Sequence, residues 1–262
     1  MSIPSCGSEW CEGEIPGDLC MQMLKVVPPL VRDSLAAHPE VHVWCVRTDL
    51  NETQCAELAG ILAPAEKAAG SKFHFAADRI RYLVSHAQLR WLLAQYAGVD
   101  PETITFRATE YGKPFIAEPP IARGLCFNLS HSGQLALVAV TRNRELGVDI
   151  ERLKDKVAAE ELADRFFCSP ERNWLKTLPQ EERCKGFFRL WTVKEAVLKA
   201  QGTGLGTLLD GLCVRLTGDS RVLVNSDGPL GQDWFVEELQ VAQGYAGAIA
   251  LKGKAPARIR MF

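Results

Sequence analysis

The sequence predicts an α+β protein of two similar, pseudo-symmetric lobes, each a long helix packed on a small antiparallel sheet. Segment 76–97 carries apolar residues at steps of three and four, which is typical of a helix, and 181–201 is a second long helical segment. Short alternating or β-branched segments between them favour strands. Strands and helices do not alternate as in a doubly wound sheet, and the similar element order of the two halves indicates two lobes.

The composition is that of an ordinary globular protein. The chain has 262 residues, of which 47% are hydrophobic and 24% charged, with a net charge of −2. This balance gives no basic footprint for nucleic acid. No stretch reaches the ~18 apolar residues of a membrane helix, and the acidic N-terminal segment lacks the positive region of a signal peptide. We therefore expect a cytoplasmic enzyme with neither a nucleic-acid nor a membrane partner.

The cysteines give no sign of a metal site or a disulfide framework. There are nine of them, an odd number, and no two form a CxxC pair. Several lie in apolar runs, such as Cys45 between Trp44 and Val46. We expect free, reduced thiols that fill the core of a cytosolic protein.

The N-terminal part of the chain divides into an extension and a first lobe. Residues 1–40 contain several prolines and little periodicity, which predicts an irregular N-terminal extension. The first lobe is predicted to span 41–143, with helices at 64–72 and 76–97 and strands at 41–49, 104–107, 126–129 and 135–141. The polar run 130–133 should follow the third of these strands, at the end of the sheet.

The second lobe is predicted to span 144–262. We expect a strand at 146–151 and strands near 212–217, at 221–225 and within 234–251. Three helices are expected: one at 157–167, one that starts at Ser169, and one at 181–201. Ser169 before Pro170 indicates a helix start with the serine as its cap. Gly202 ends the long helix, and the last strand segment should be a hairpin about Gly244.

Two acidic residues share one face of a predicted strand. Asp149 and Glu151 are two positions apart, so they point the same way, while Val148 and Ile150 point to the other face. Two carboxylates this close repel each other unless a cation or a proton lies between them. By itself the pattern fits a solvated strand face equally well.

The second long helix carries charged residues on an otherwise apolar surface. Trp191, Glu195 and Lys199 share one helical face, and Glu195 and Lys199 are spaced for an ion pair. A surface ion pair is the simple interpretation. The helix is apolar nearly all round, however, and an acid and two lysines, Lys194 and Lys199, are costly to bury without a role.

Taken in order, these segments resemble one family. The ordered set consists of YGKP at 111–114, FNLSHS at 127–132, GVDIE at 147–151 and WTVKEAVLK at 191–199, with FFCSPE at 166–171. It is similar to the 4′-phosphopantetheinyl transferase superfamily, and within it to the two-lobed, Sfp-type branch. The resemblance implies transfer of the phosphopantetheine arm of coenzyme A, with Mg²⁺ or Mn²⁺, to a serine of an acyl or peptidyl carrier protein. Adenosine 3′,5′-bisphosphate leaves.

The resemblance also implies roles for individual residues. Asp149, Glu151 and Glu195 correspond to the metal carboxylates, and Lys199 to a catalytic, phosphate-contacting lysine. Glu195, or a metal-bound water that it orients, is the candidate base. The residues expected to contact coenzyme A are Arg81, Gly112, Lys113, Pro114, Ser130, His131, Lys194 and Lys199. Arg79 competes with Arg81 for the contact with the adenosine phosphate.

The family further implies a monomer with coenzyme A in the cleft between its lobes. Two alternatives stay open at this point. A different metal-dependent phosphoryl or nucleotidyl transferase would turn over ATP, and a non-catalytic binding module would bind coenzyme A or a carrier without reaction. The sequence does not indicate which carrier, from fatty-acid, polyketide, non-ribosomal peptide or lysine biosynthesis, is the substrate.

Overall fold

The structure is a computed structural model of an α+β protein, which confirms the predicted fold class. It describes residues 27–37, 39–50, 55, 58, 60–154, 158–202, 209, 211–217, 220–225 and 233–262. Most of the extension predicted at 1–40 therefore lies outside the described residues. Within the described part of the chain, no helix combines the length and apolarity needed to cross a membrane.

The N-terminal half contains two small sheets and one long helix. Its elements are α1 (Pro29–Ala37), β1 (Glu40–Arg47), α2 (Pro64–Gly70), α3 (Ala76–Ala97), β2 (Thr105–Ala108), β3 (Pro114–Glu118), β4 (Leu125–Ser132) and β5 (Leu135–Arg142). The long helix α3 has the predicted bounds. It ends because Gly98 adopts a left-handed conformation with φ of 68°.

The C-terminal half contains a larger sheet and the second long helix. Its elements are β6 (Leu146–Arg152), α4 (Ala159–Phe166), α5 (Ser169–Thr177), α6 (Gln180–Gln201), β7 (Cys213–Leu216), β8 (Arg221–Asn225), β9 (Trp234–Glu238), β10 (Tyr245–Lys252) and β11 (Arg258–Met261). Helix α6 begins one residue before the predicted start, and Gly202 caps its end with φ of 77°.

Strand order places the two sheets edge to edge at β4 and β6. The first sheet has the order β11-β1-β5-β4, and the second has the order β6-β10-β9-β8-β7. The C-terminal strand β11, which the sequence analysis did not predict, returns to the first lobe and pairs in parallel with β1. The first sheet is therefore antiparallel except at this edge. The division at 143/144 into lobes stays a prediction.

Side chains, rather than a backbone ladder, join β4 to β6. Alternate residues of β4 accept hydrogen bonds from alternate backbone N–H groups of β6: Asn128 Oδ1 from Val148 at 2.9 Å, Ser130 Oγ from Ile150 at 3.4 Å and Ser132 Oγ from Arg152 at 3.0 Å. We call this row of contacts the inter-sheet seam. It satisfies edge N–H groups that would otherwise be left without partners between the lobes.

Apolar packing fixes each long helix on the outer face of its sheet. Helix α3 packs Leu92 and Leu93 against the first sheet, and α6 packs Val193 and Val197 against the second. A third cluster lies between the sheets and includes Val43, Leu137, Val148, Ile150 and Ile249. The apolar face of β6 thus points into this central core, which leaves its acidic face toward α6.

Residues 29–37 correct the prediction of an irregular extension. They form α1, whose side chains Val31 and Leu35 are buried in the core of the first lobe beside Trp44. The pair Pro28 and Pro29 suggested irregular structure, but proline is well suited to the first turn of a helix. The prediction was therefore wrong for this segment.

Cys168 and Cys213 correct the expectation that all thiols are free. The structure joins them in a disulfide between residues 45 positions apart, a pairing that spacing alone does not show. Cys168, rather than Ser169, is also the N-cap of α5, and its backbone N–H donates to the carboxylate of Glu171 at 2.9 Å. The predicted cap was one residue too late.

Candidate active site

Helix α6 lies directly on β6 because Gly147 has no side chain. A Cβ at this position would lie 2.1 Å from the carbonyl oxygen of Ala196 and 2.3 Å from the backbone nitrogen of Ala200. Real Cβ atoms do not approach other atoms this closely. The glycine therefore permits the close packing that sets Glu195 and Lys199 of the helix against the acidic face of the strand.

Asp149 is the buried centre of this contact. Its side chain is 5% exposed, and Oδ1 accepts hydrogen bonds from Lys199 Nζ at 2.6 Å and from Ser130 Oγ at 2.7 Å. Oδ2 is also buried and has no hydrogen-bond partner among the residues that the structure describes. A buried carboxylate oxygen without a partner is uncommon in native proteins, and either a bound cation or an ordered water would satisfy it.

Glu195 of α6, which faces β6, also has a buried carboxylate oxygen without a hydrogen-bond partner in the described ranges. This oxygen is Oε1, and the residue as a whole is buried. Burial and repulsion from Asp149 raise the pKa of Glu195 to about 7, although the nearby Lys199 opposes the rise. The carboxyl group is therefore poised to gain or lose a proton near neutral pH.

Glu151 lies in the same electrostatic environment. Burial raises its pKa and repulsion from Asp149 adds to the rise, while a hydrogen bond from Ser132 Oγ at 2.7 Å opposes it. The structure thus brings together the three predicted metal carboxylates, and the negative charge of Asp149 disfavours the charged form of both Glu151 and Glu195. Such an arrangement is stable only with a proton or a cation nearby.

The carboxylate cluster fits a hard divalent cation. As the side chains stand, no group of three or more His, Cys, Asp or Glu residues in the described ranges is close enough to enclose an ion. Mg²⁺ does not need such a cage, because it is bound through one or two carboxylates plus substrate phosphates and water. The unpartnered oxygens of Asp149 and Glu195 are donors of this type.

A pocket of about 260 Å³ opens beside the cluster. Its lining comes from the β2–β3 turn, from β4 and from the end of α6: Tyr111, Gly112, Lys113, Pro114, Asn128, Leu129, Glu195, Leu198, Lys199 and Gly202. The structure therefore brings the predicted segment 111–114 to the predicted catalytic residues. Lys113 spans the two lobes, because its Nζ donates to the carbonyl of Ala200 at 2.7 Å and pairs with Glu145.

Positively charged side chains lie on the other side of the SHS segment, residues 130–132. Arg81 of α3 donates from Nε to the carbonyl of Gly133 at 2.7 Å and from Nη1 to Asp78 at 2.6 Å. The His131 side chain is exposed at the end of β4. Reduced hydration there, followed by the positive charges of Arg81, His86 and Lys199, lowers the pKa of His131. A neutral imidazole in a positive field is suited to an anionic ligand.

The polar SHS segment is part of strand β4, not the turn after it. The prediction that the strand ends at Leu129 is wrong, because residues 130–132 continue the antiparallel backbone pairing of β4 with residues 135–137 of β5. Alternation placed both serines on the side of the carboxylates and left His131 exposed. Ser132 was not among the predicted site residues, although its spacing of two from Ser130 indicates that both serines share one face of the strand.

Lys194 does not reach this site. Its Nζ donates to Glu171 Oε2 at 2.6 Å, both side chains are 0% exposed, and the ammonium lies 4.9 Å from the centre of the Phe167 ring. Glu171 also accepts the N–H groups of Cys168 and Val214 at 2.9 and 2.8 Å. The predicted contact of Lys194 with coenzyme A is therefore corrected to a buried ion pair that fastens α5 and β7 to α6.

We expect Lys194→Met to lower the free energy of unfolding by about 3–5 kcal/mol, because it leaves the Glu171 carboxylate unpaired in the core. Urea unfolding measures this change. Lys185→Met on the exposed side of α6 is the matched control and should change stability by less than about 0.5 kcal/mol. Unchanged stability of Lys194→Met together with weaker binding of coenzyme A would restore the original assignment.

Comparisons with known proteins match both halves of the chain. Residues 145–250 match the family model of the 4′-phosphopantetheinyl transferase superfamily, and residues 50–143 match that of the 4′-phosphopantetheinyl transferase N-terminal region. The 4′-phosphopantetheinyl transferase HetI of Nostoc sp. is 42% identical over 169 residues, which cover 64% of this chain and 71% of HetI. The chain belongs to the 4′-phosphopantetheinyl transferase superfamily. The predicted family and enzyme class are confirmed.

A second relative supports the Sfp-type branch of the superfamily. The 4′-phosphopantetheinyl transferase Sfp of Bacillus subtilis is 30% identical over 203 residues, which cover 76% of this chain and 86% of Sfp. The superfamily match at 145–250 contains the three clustered carboxylates and Lys199 of this transferase, and the N-terminal match contains Arg81, the 111–114 turn and the SHS segment.

Proposed function

We propose that this transferase moves the 4′-phosphopantetheine arm of coenzyme A to a serine hydroxyl of an acyl or peptidyl carrier protein, with Mg²⁺ required. The observation that carries the proposal is the pair of buried, unpartnered oxygens on Asp149 and Glu195, next to an open pocket and to Lys199. The relatives HetI and Sfp, both named 4′-phosphopantetheinyl transferases, support the reaction class.

The charges around the pocket suit the phosphates of coenzyme A. Lys199 lies at the pocket wall beside the carboxylates, and the positive charge of Arg81 lies near His131 on the far side of β4. We assign Lys199 to the pyrophosphate and Arg81 with His131 to the phosphate of the adenosine end. Lysine acts as a compact point charge, whereas arginine binds phosphate through its planar fork.

The metal would be held by Asp149, Glu195 and Glu151, with Mn²⁺ as an acceptable substitute for Mg²⁺. When bound, the cation neutralises the pyrophosphate and stabilises the charge that develops on the leaving phosphate. The chain prepares for it by keeping Asp149 oriented through Lys199 and Ser130. Phosphoryl transfer depends mainly on this kind of positioning and charge stabilisation.

Glu195 is the proposed base for the carrier serine. The serine oxygen forms a bond to the β-phosphorus of coenzyme A, the bond from that phosphorus to the bridging oxygen breaks, and adenosine 3′,5′-bisphosphate leaves. The serine proton passes to Glu195, whose carboxylate is buried beside the pocket and has an oxygen without a hydrogen-bond partner in the described part of the chain. Both lobes of one chain contribute residues to the site, which supports a monomer.

The reaction can be followed by its small-molecule product. We expect 3′,5′-adenosine bisphosphate to appear on chromatography only when the transferase, coenzyme A, a divalent cation and an apo carrier are all present. ATP in place of coenzyme A should give no turnover. Turnover of ATP without a carrier would favour a nucleotidyl enzyme. Binding of coenzyme A without release of the bisphosphate in the presence of any carrier would favour a non-catalytic module.

The choice between Arg79 and Arg81 can be tested by kinetics. We expect Arg81→Ala to raise the KM for coenzyme A about 10-fold or more, since a hydrogen bond to a charged group contributes about 1.5–3 kcal/mol. Arg79→Ala is the matched control, because Arg79 is exposed on the same helix, and it should change KM by less than about 2-fold. The opposite order of effects would assign the phosphate to Arg79.

A further inference from the structure

We infer that Ser132 is a positioning residue that holds the Glu151 carboxylate in place for the divalent cation. The inference rests on the proposed function, which makes Glu151 a metal ligand. Ser132 is the last residue of β4 and is part of the inter-sheet seam. It does not line the pocket, and Glu151 is the proposed metal ligand that it contacts, so we expect its effect on the reaction to pass through Glu151.

The hydroxyl of Ser132 is fixed from both sides. It accepts the backbone N–H of Arg152 at 3.0 Å and donates to Glu151 Oε2 at 2.7 Å. The accepted hydrogen bond comes from the backbone of β6, so the direction in which the hydroxyl donates is set by the strand itself. The carboxylate of Glu151 is in this way tied to the strand that carries it.

Ser130 repeats this arrangement one step along the strand. Its hydroxyl accepts the N–H of Ile150, 20 positions later, and donates to Asp149, 19 positions later; Ser132 uses the same two offsets. The repeat follows from the period of two shared by both strands. The contacts that align the two lobes therefore also aim two neighbouring carboxylates, and a shift of either strand would release both.

The two carboxylates differ in their other support. Asp149 is held by Lys199 as well as by Ser130, and its side chain is 5% exposed. Glu151 has a longer, more flexible side chain and is only partly buried. Ordering such a side chain on metal binding costs conformational entropy, and a pre-formed hydrogen bond reduces that cost. Glu151 should therefore depend on its serine more strongly than Asp149 does.

The test is the binding of Mn²⁺ in the presence of coenzyme A, followed by electron paramagnetic resonance without a carrier. We expect Ser132→Ala to weaken Mn²⁺ binding about 10-fold or more, as is usual when a hydrogen-bond partner of a metal ligand is lost. Ser132→Thr keeps the hydroxyl and should restore binding to near the wild-type level. Thr141→Val is the matched control, because it removes a buried hydroxyl of the same sheet that donates to the carbonyl of Glu40 at 2.8 Å.

A double-mutant cycle separates positioning from general stability. Glu151→Ala removes the group through which Ser132 acts, so Ser132→Ala in that background should weaken Mn²⁺ binding no further. Equal Mn²⁺ binding by Ser132→Ala and wild type, or additive losses in the double variant, would overturn the inference. Ser132→Cys, which keeps the volume but donates weakly, gives the same comparison if the alanine variant does not fold.

The same titration keeps the two proposals distinguishable. If wild type binds Mn²⁺ and Ser132→Ala binds it equally well, only the role of Ser132 fails. If wild type binds no Mn²⁺ with coenzyme A present, the metal requirement of the proposed function fails, and the inference is overturned with it.

Discussion

Glu195→Gln should nearly abolish carrier modification and at the same time make the metal-free transferase more stable at pH 8. The rate should fall by about 10²–10⁴-fold, because the variant loses the general base. Stability should rise because the wild-type carboxylate is buried beside Asp149, where its negative charge is unfavourable. Gain of stability on loss of function is typical of a strained active site.

The direction in which stability changes with pH follows from the direction in which the pKa of Glu195 is shifted. The pKa of Glu195 is raised from 4.5 to about 7 in the folded state. The folded protein therefore holds this proton more tightly than the unfolded chain, and its stability falls as pH rises through this interval. The advantage of glutamine should be absent below about pH 4.5 and complete above pH 7, where it reaches at most about 3 kcal/mol.

Thermal unfolding in EDTA at pH 5 and pH 8, with carrier modification assayed separately, measures both effects. Glu171→Gln is the contrasting control, since Glu171 is also buried but is paired with Lys194. That variant should lose stability, because it leaves the lysine charged and unpaired. A Glu195→Gln variant that is less stable than wild type at pH 8, or that keeps wild-type activity, would contradict this assignment.

Among the glycines in the described ranges, Gly147 should tolerate an added methyl group (Gly147→Ala) least, since a Cβ there would meet the closest atoms. The added carbon would lie 2.1 Å from the carbonyl of Ala196 and 2.3 Å from the nitrogen of Ala200, which are backbone atoms of α6 and cannot turn aside. The helix must move as a whole, and Glu195 and Lys199 move with it. We expect a loss of about 3 kcal/mol or more, at the upper end of overpacking effects, together with loss of transfer.

Gly247→Ala is the matched control on the neighbouring strand. Gly247 pairs with Ile150 across the β6–β10 ladder, and its nearest neighbour would be the Val241 side chain at 3.3 Å, which can shift. Urea unfolding should show a loss below about 1 kcal/mol for this variant. Equal losses for the two variants would mean that the approach of α6 to β6 does not set the site.

The elements that the sequence predicted well are those whose pattern is local. The bounds of α3 follow from its apolar spacing and from Gly98, and the shared face of Asp149 and Glu151 follows from the period of a strand. The carboxylate cluster was predicted from residue types in family order. The structure supplies the close helix–strand contact at Gly147 that assembles it.

The predictions that failed depend on partners distant in sequence. Ser130 and Ser132 were expected beyond the end of a strand but lie within it, because their backbone pairs with β5 and their hydroxyls accept N–H groups of β6. Lys194 is adjacent to Glu195, yet its side chain is directed to a different partner, Glu171 in the core. Cys168 and Cys213 are 45 positions apart, and Val214 beside Cys213 donates its backbone N–H to Glu171 of α5. No local pattern specifies these contacts.

The measurement that tests the central claim most directly is the intact mass of an apo carrier protein after incubation with this transferase, coenzyme A and Mg²⁺. A panel of carriers from fatty-acid, polyketide, non-ribosomal peptide and lysine biosynthesis covers the open substrate classes. We predict a gain of one phosphopantetheine on at least one carrier, lost in EDTA and lost with Glu195→Gln. No gain on any carrier while coenzyme A still binds, or a gain that persists in EDTA, would contradict the account.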